Sequence, residues 1–308
     1  MRLFFLSDLH TDFWWPYANS RKEYEMPDPP EEVTRKTLEH RWMNKRHIDL
    51  FTTDVDGIIV PGDLGNDWLT STRTLKWIRE KYKKVYFVVG NHDIAVRGGT
   101  TSKSNIQFKN SIEKIEAYRT FCKENDIVFL EGDVVDGIGG CMMMSDFSYS
   151  HPKLKSRSIL NWKRHWYDGK HWRYMDNDPL VIFEHYSKML DEIVAKKPKV
   201  IVTHYCPSIL PITFDWRNAP ENDYFYFDAS KWLNKIEQDT IWICGHTHDP
   251  KRATYLNKKG ALITVMCNPQ GYPEDRHYNI ICNEMIEGEK EIKRTFLQIE
   301  TDRFVIDV

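Results

Sequence analysis

Short apolar runs, each breaking into polar residues at its carboxyl end, recur along the chain and predict its strands. Residues 3–6 (Leu-Phe-Phe-Leu) run into Ser7, Asp8, Leu9 and His10, and residues 57–60 (Gly-Ile-Ile-Val) run into Pro61, Gly62 and Asp63. Residues 85–89 (Val-Tyr-Phe-Val-Val) run into Gly90, Asn91, His92 and Asp93. Uninterrupted apolar runs of this length predict strands buried on both faces. Helical stretches lie between them: Pro-Pro-Glu-Glu starts one expected over 31–50, and Leu75 and Ile78 share the apolar face of another expected over 70–84. A helix over 106–124 and strands at 127–130 and 140–144 follow. This βαβαβ order predicts a largely parallel sheet.

In the second half, residues 146–176 show no clean period. A helix over 180–196 leads to a strand at 200–204, an irregular Pro- and aromatic-rich stretch fills 205–228, and strands follow at 241–244 and 262–266. Alternation at 295–299 and 303–306 suggests an antiparallel hairpin. With no repeat and no low-complexity linker, the expectation is one domain over 1–308, with loop insertions at about 11–30, 146–176 and 205–228.

Composition narrows the class. Hydrophobic residues make up 41% and charged residues 29%, too apolar for a disordered chain. The net charge of -2 gives no overall attraction to nucleic acid or anionic membrane. No apolar run approaches the roughly 20 residues that span a bilayer. The six cysteines, Cys122, Cys141, Cys206, Cys244, Cys267 and Cys282, show no C-x-x-C pair and read as free thiols. Together with an N-terminus that lacks a basic region followed by an apolar one, this predicts a soluble, cytoplasmic protein.

The chemistry gathers at the strand ends. Asp8/His10, Asp63, Asn91/His92, His204 and His246/His248 close five separate strands, and in open α/β sheets such ends meet in one crevice. Strand alternation would put Asp8 and His10 on one side. Gly62, Gly90 and Gly245 precede three of the clusters, as a sharp turn would need. Carboxylate oxygen with imidazole nitrogen suits borderline divalent transition metals; thiolates are absent from the set, and histidines do not fit a pure magnesium or calcium cage. Seven candidate ligands exceed one tetrahedral ion, whereas two ions about 3.5–4 Å apart would use them, an arrangement known for phosphate ester hydrolysis.

The ordered set D-x-H (Asp8, His10), G-D (Gly62, Asp63), G-N-H-D (Gly90 to Asp93), T-H (Thr203, His204) and G-H-x-H (Gly245 to His248) resembles the calcineurin-like metallophosphoesterase superfamily. T-H-x-x-P-S (Thr203 to Ser208) and N-P-x-G-Y-P (Asn268 to Pro273) are similar to a bacterial and phage branch of it. The resemblance implies an α/β fold of two packed mixed sheets flanked by helices, a four-layer αββα sandwich. It implies that Asp8, His10 and His248 hold one metal, that Asn91, His204 and His246 hold a second, and that Asp63 bridges both. The ions would be divalent manganese, iron, nickel or zinc. A bridging hydroxide would attack a phosphomonoester or phosphodiester, His92 would act as general acid or phosphate stabiliser, and Asp93 would orient His92. His151, His165, His171 and His185 match no motif and read as surface or packing residues.

The segment 151–174 carries Lys153, Lys155, Arg157, Lys163, Arg164, Lys170 and Arg173 against one Asp, interleaved with Trp162, Trp166 and Trp172. It reads either as a grip for nucleic acid, making the protein a nuclease, or as a solvated cap whose tryptophans pack on the sheet rim. The expected partner is a small-molecule phosphate ester. A non-catalytic scaffold of the same fold is the alternative from a different class, set against the intact motif residues.

Overall fold

The computed structural model describes residues 1–13, 55–96, 108–149, 151–208, 219–272 and 305–308. The expected helix over 31–50, most of the loop at 11–30 and the segment 295–299 lie outside the described residues. Two mixed sheets flanked by helices form the α/β architecture.

The first sheet contains β1 (Arg2–Phe5), β2 (Gly57–Pro61), β3 (Lys84–Val88) and β4 (Val128–Phe129), all parallel. Leu3, Phe4, Phe5, Ile58, Ile59 and Val60 are all buried, which is why these strands read as unbroken apolar runs. α1 (Trp68–Lys81) follows β2, and α2 (Ser111–Glu124) precedes β4. The first begins two residues before its predicted start because Asp67 caps it, accepting from the Thr70 amide at 2.9 Å.

The second sheet contains β5 (Val134–Val135), β6 (Ile138–Cys141), β7 (Val200–Thr203), β10 (Thr240–Cys244), β11 (Lys251–Leu256) and β12 (Leu262–Cys267), in the order β11-β12-β10-β7-β6-β5. Its four central strands are parallel, and β5 and β11 run antiparallel at the edges. The sheets pack closely: a Cβ on Gly140 of β6 would lie 2.8 Å from Val88 Cγ2 of β3. One continuous hydrophobic cluster joins both.

Residues 155–171 are helical, contrary to the irregular expectation: α3 spans Lys155–His165 and α4 spans Tyr167–His171. In α3 only Ser158 and Trp162 are buried, so the apolar face is too narrow to produce a readable period. α5 (Pro179–Ala195) matches its prediction, with Asp178 as cap and Pro179 at its first position. Within 205–228, the two-residue strands β8 (Cys206–Pro207) and β9 (Tyr226–Phe227) pair in parallel, and α6 (Ser230–Leu233) follows. At the C-terminus β13 (Val305–Asp307) pairs antiparallel with β1.

Candidate metal centre

The carboxyl ends of β1, β2, β3, β7 and β10 meet along one rim. After β1 the chain stays beside the tail of β2: the Asp8 amide donates to Gly62 O at 3.0 Å and the His10 amide to Asp63 O at 3.0 Å. Asp8 and His10 converge, but not through strand alternation. Both sit in the left-handed region, with φ of 53° and 41°, as do Asp63 (58°), His246 (70°) and His248 (50°). Non-glycine residues rarely adopt this conformation, and its clustering here marks a rim shaped for a purpose other than stability.

Of the flanking glycines, Gly62 meets the expected turn, with φ +87°. Gly90 serves a different need, because a Cβ there would stand 2.1 Å from Asp63 Oδ1. Only glycine allows β3 to pass so close to that carboxylate.

The ligand atoms fall into two groups that share Asp63: Asp8, His10, Asp63 and His248 in one, Asp63, His204 and His246 in the other, with the donor atoms of each within 4.8 Å of one another. In the first group, His10 Nε2 lies 2.9 Å from His248 Nε2 and 3.7 Å from Asp63 Oδ2, and His248 Nε2 lies 3.4 Å from Asp8 Oδ1. In the second, His204 Nε2 lies 3.4 Å from Asp63 Oδ2 and 2.8 Å from Asn91 Oδ1. Nδ1 of His204 faces Pro61 O at 2.8 Å and Nε2 of His246 faces Tyr224 O at 3.2 Å. Each carbonyl takes one ring N–H and leaves the other nitrogen as a ligand.

Asp63 Oδ2 is buried with no hydrogen-bond partner among the described residues, although imidazole nitrogens of both groups flank it. A buried carboxylate oxygen left unpaired is costly, and a shared cation would satisfy it. The donor set therefore fits divalent metal ions.

Electrostatics favour ligation at two of the histidines. Burial and the neighbouring His92 and His248 hold His10 well below the usual imidazole range. Burial also holds His246 low, with His204 adding to it; neutral imidazoles are the ligating form. Burial would lower His204 too, yet Asp63 beside it carries it up to about 9. Asp63 is in turn held well below the carboxylate range by His204 and His92, against the pull of burial.

His92 lies beside the first group, its ring centroid 4.8 Å from that of His10. Its backbone amide donates to Asp63 Oδ1 at 2.9 Å. The Asp93 carboxylate accepts from four backbone amides, Asp63 (2.8 Å), Gly90 (2.8 Å), Leu64 (3.0 Å) and Gly65 (3.4 Å). It shapes the β2 and β3 turns, while Asn66 Oδ1 meets His92 Nδ1 at 2.8 Å. Burial pushes Asp93 up to about 7.

Three further side chains complete the site: Tyr272 from the N-P-x-G-Y-P motif, and Tyr167 and Asp168 from the basic segment. Tyr272 Oη lies 3.0 Å from His92 Nε2, and the Gly271 amide beside it donates to Asp8 O at 3.0 Å. Tyr167 stacks on His92 with ring centroids 4.5 Å apart and hydrogen-bonds Asn66. Asp168, the one acid of the basic segment, accepts from Asn91 Nδ2 at 2.8 Å and from Tyr205 Oη at 3.1 Å, which turns Asn91 Oδ1 toward His204. Burial pushes Asp168 up to about 7. Trp172 Nε1 donates to Asn91 O at 2.9 Å. Trp162 and Trp172 are buried against each other and Phe147, and Trp166 packs on Tyr224 and Phe225. The segment is thus a packed wall of the centre.

A rim of this kind, two sheets presenting Asp, Asn and His around one shared carboxylate, defines a metal-dependent hydrolase. The family of calcineurin-like phosphoesterases matches residues 1–250, and the chain belongs to it: it is a metal-dependent phosphoric ester hydrolase. Among curated proteins none matches. Among solved structures, the phosphopantetheinyl hydrolase of Mycobacterium tuberculosis is similar in fold, with a TM-score of 0.56 and 17% identity over 90% of this chain and 91% of that one. No described helix is long and apolar enough to cross a membrane.

Proposed function

We propose that the protein hydrolyses a small-molecule phosphomonoester or phosphodiester with two divalent transition metal ions, one held by Asp8, His10 and His248, the other by Asn91, His204 and His246, and both by Asp63. The unpaired Asp63 Oδ2 between His10 and His204 is the observation that carries this reading. Such ions would supply a water of lowered pKa and neutralise charge on the phosphoryl oxygens.

The rest falls to the chain's own residues. Asn66 takes the Nδ1–H of His92, so Nε2 is the atom that handles the proton. A protonated Nε2 can pass its proton to the departing ester oxygen, help typically worth about 10²–10⁴-fold. The Tyr272 hydroxyl beside Nε2 is placed to contact a phosphoryl oxygen or to hold the neutral ring between turnovers. Tyr167 and Tyr272 wall the crevice with aromatic surface and limit water around the reacting group. Burial of Trp162 and Trp172 takes two of the segment's three tryptophans out of reach of a base, which supports the small-molecule reading over a nucleic-acid grip.

Asp63→Ala tests the centre: the variant should stay folded, lose metal and lose hydrolysis of an aryl phosphate. Undiminished turnover in the chelated wild type would overturn the reading. A panel of an aryl monoester, an aryl diester, cyclic nucleotides, oligonucleotides and a phosphopantetheinyl protein, each with manganese, iron, nickel and zinc, assigns the substrate class.

A further inference from the structure

Behind the G-H-x-H turn lies a further cluster of ligand atoms, separate from the Asp, Asn and His set. Cys206, Cys244 and Cys267 are fully buried, and their sulfurs lie within 4.8 Å of one another. Cys244 and Cys267 are register partners on the parallel strands β10 and β12, and Cys206 opens β8 beside them. The sulfurs of Cys206 and Cys244 are 3.3 Å apart. A fourth atom closes the group: Thr247 Oγ1 lies 3.9 Å from Cys206 Sγ and 3.7 Å from Cys267 Sγ.

We infer that Cys206, Cys244 and Cys267 form a third metal site, selective for a thiophilic ion of the zinc and cadmium class, with Thr247 Oγ1 at the fourth position. A tetrahedral ion with metal–sulfur bonds of about 2.3 Å separates two sulfurs by about 3.8 Å, and a sulfur from an oxygen bonded at about 2.1 Å by about 3.6 Å. The two Thr247 distances, 3.9 and 3.7 Å, have to close by a few tenths of an ångström, and the Cys206–Cys244 pair has to open by about 0.5 Å. Donor softness separates this site from the other: three sulfurs select a thiophilic ion, whereas the carboxylate and imidazole set of the phosphoesterase centre accepts harder ones. Loading breaks three S–H bonds, forms three metal–sulfur bonds and releases three protons to solvent, leaving a tris-thiolate centre of one net negative charge.

The site shares a peptide with the phosphoesterase centre. Cys206 and Cys267 Sγ hydrogen-bond Gly245 O at 2.9 and 3.6 Å, while the amide on the other side of that peptide, His246 N–H, donates to both Asp8 oxygens at 2.9 and 3.0 Å. An ion that removes the thiol protons strips Gly245 O of these donors and touches the frame of Asp8 and His246. The inference stands whether or not the phosphoesterase centre holds two ions.

Titration of the metal-free full chain with cadmium, followed in the ultraviolet, tests it, because thiolate-to-cadmium charge transfer arises only from sulfur ligands. The wild type should develop the band. It should fall by a third or more in each of Cys206→Ser, Cys244→Ser and Cys267→Ser, and persist in Asp63→Asn. X-ray absorption of the cadmium-loaded wild type gives a readout that needs no variant: sulfur neighbours are expected. Absence of the band in folded wild type, an unchanged band in any of the three serine variants, or oxygen and nitrogen neighbours alone would overturn the site.

Discussion

Asn66 Oδ1 stands 2.8 Å from His92 Nδ1 and fixes which nitrogen of that ring faces the centre. Asn66 is itself fixed, because its Nδ2 donates to Asp12 Oδ2 at 2.8 Å and its backbone amide to the same oxygen at 3.0 Å. A chain of hydrogen bonds thus runs from Asp12 through Asn66 to His92.

Removing that hold should slow chemistry without emptying the centre. Asn66→Ala is expected to lower kcat by about 10–100-fold, part of the 10²–10⁴-fold that general acid–base help provides, with metal content unchanged. In a His92→Ala background the same change should cost little more, since the ring it positions is gone. Steady-state kinetics with metal analysis of the four proteins checks this; fully additive losses would mean that Asn66 acts elsewhere.

Asp168 bears on metal affinity instead. Its contact with Asn91 Nδ2 aims Asn91 Oδ1 at His204, and loss of such an orienting partner typically weakens metal binding about 10–100-fold. Asp168→Ala should show that loss for one of two ions in a metal titration, with binding at Asp8, His10 and His248 retained.

Asp93 is a matter of stability. Asp93→Ala leaves the amides of Asp63, Leu64, Gly65 and Gly90 without their acceptor in a buried turn. Each buried amide left unsatisfied costs about 1–3 kcal/mol, so a loss of about 4 kcal/mol or more is expected in urea unfolding. An unchanged midpoint would show that water replaces the carboxylate.

Glu131 supplies a pH dependence outside the set of proposed ligands. Burial pushes this carboxyl up to about 7, against hydrogen bonds from Tyr186 and the Met142 amide. The folded state therefore keeps a proton that the unfolded chain releases near 4.5, and stability falls as pH rises from about 4.5 to about 7. Glu131→Gln removes this slope: the variant should match the wild type at pH 4 and exceed it by up to about 3 kcal/mol at pH 8. Thermal unfolding across that range is the measurement.

The seven candidate ligands were legible because each stands in a short motif at the end of an apolar strand, where pattern and position coincide. Their partners were not. Asn66, Asp168 and Tyr272 reach His92 and Asn91 from 26, 77 and 180 residues away; the motif N-P-x-G-Y-P marks Tyr272, but no local pattern records which side chain it meets. Asp168 left one trace, as the single acid in a basic stretch. The motif G-N-H-D places Asp93 beside His92 in sequence, but only the turn geometry shows its carboxylate facing backbone amides. α3 escaped notice because two buried residues in eleven leave no period to read.

The two sheets meet at a seam, and each proposed ion sits across it. The first sheet contributes Asp8, His10, Asp63 and Asn91; the second contributes His204, His246 and His248. Each ion takes at least one ligand from either side, so the pair would act as rivets at the open end of the sandwich. Chelation should then loosen the rim amides of both sheets together, while the interior strands, held by the common apolar core, keep their protection.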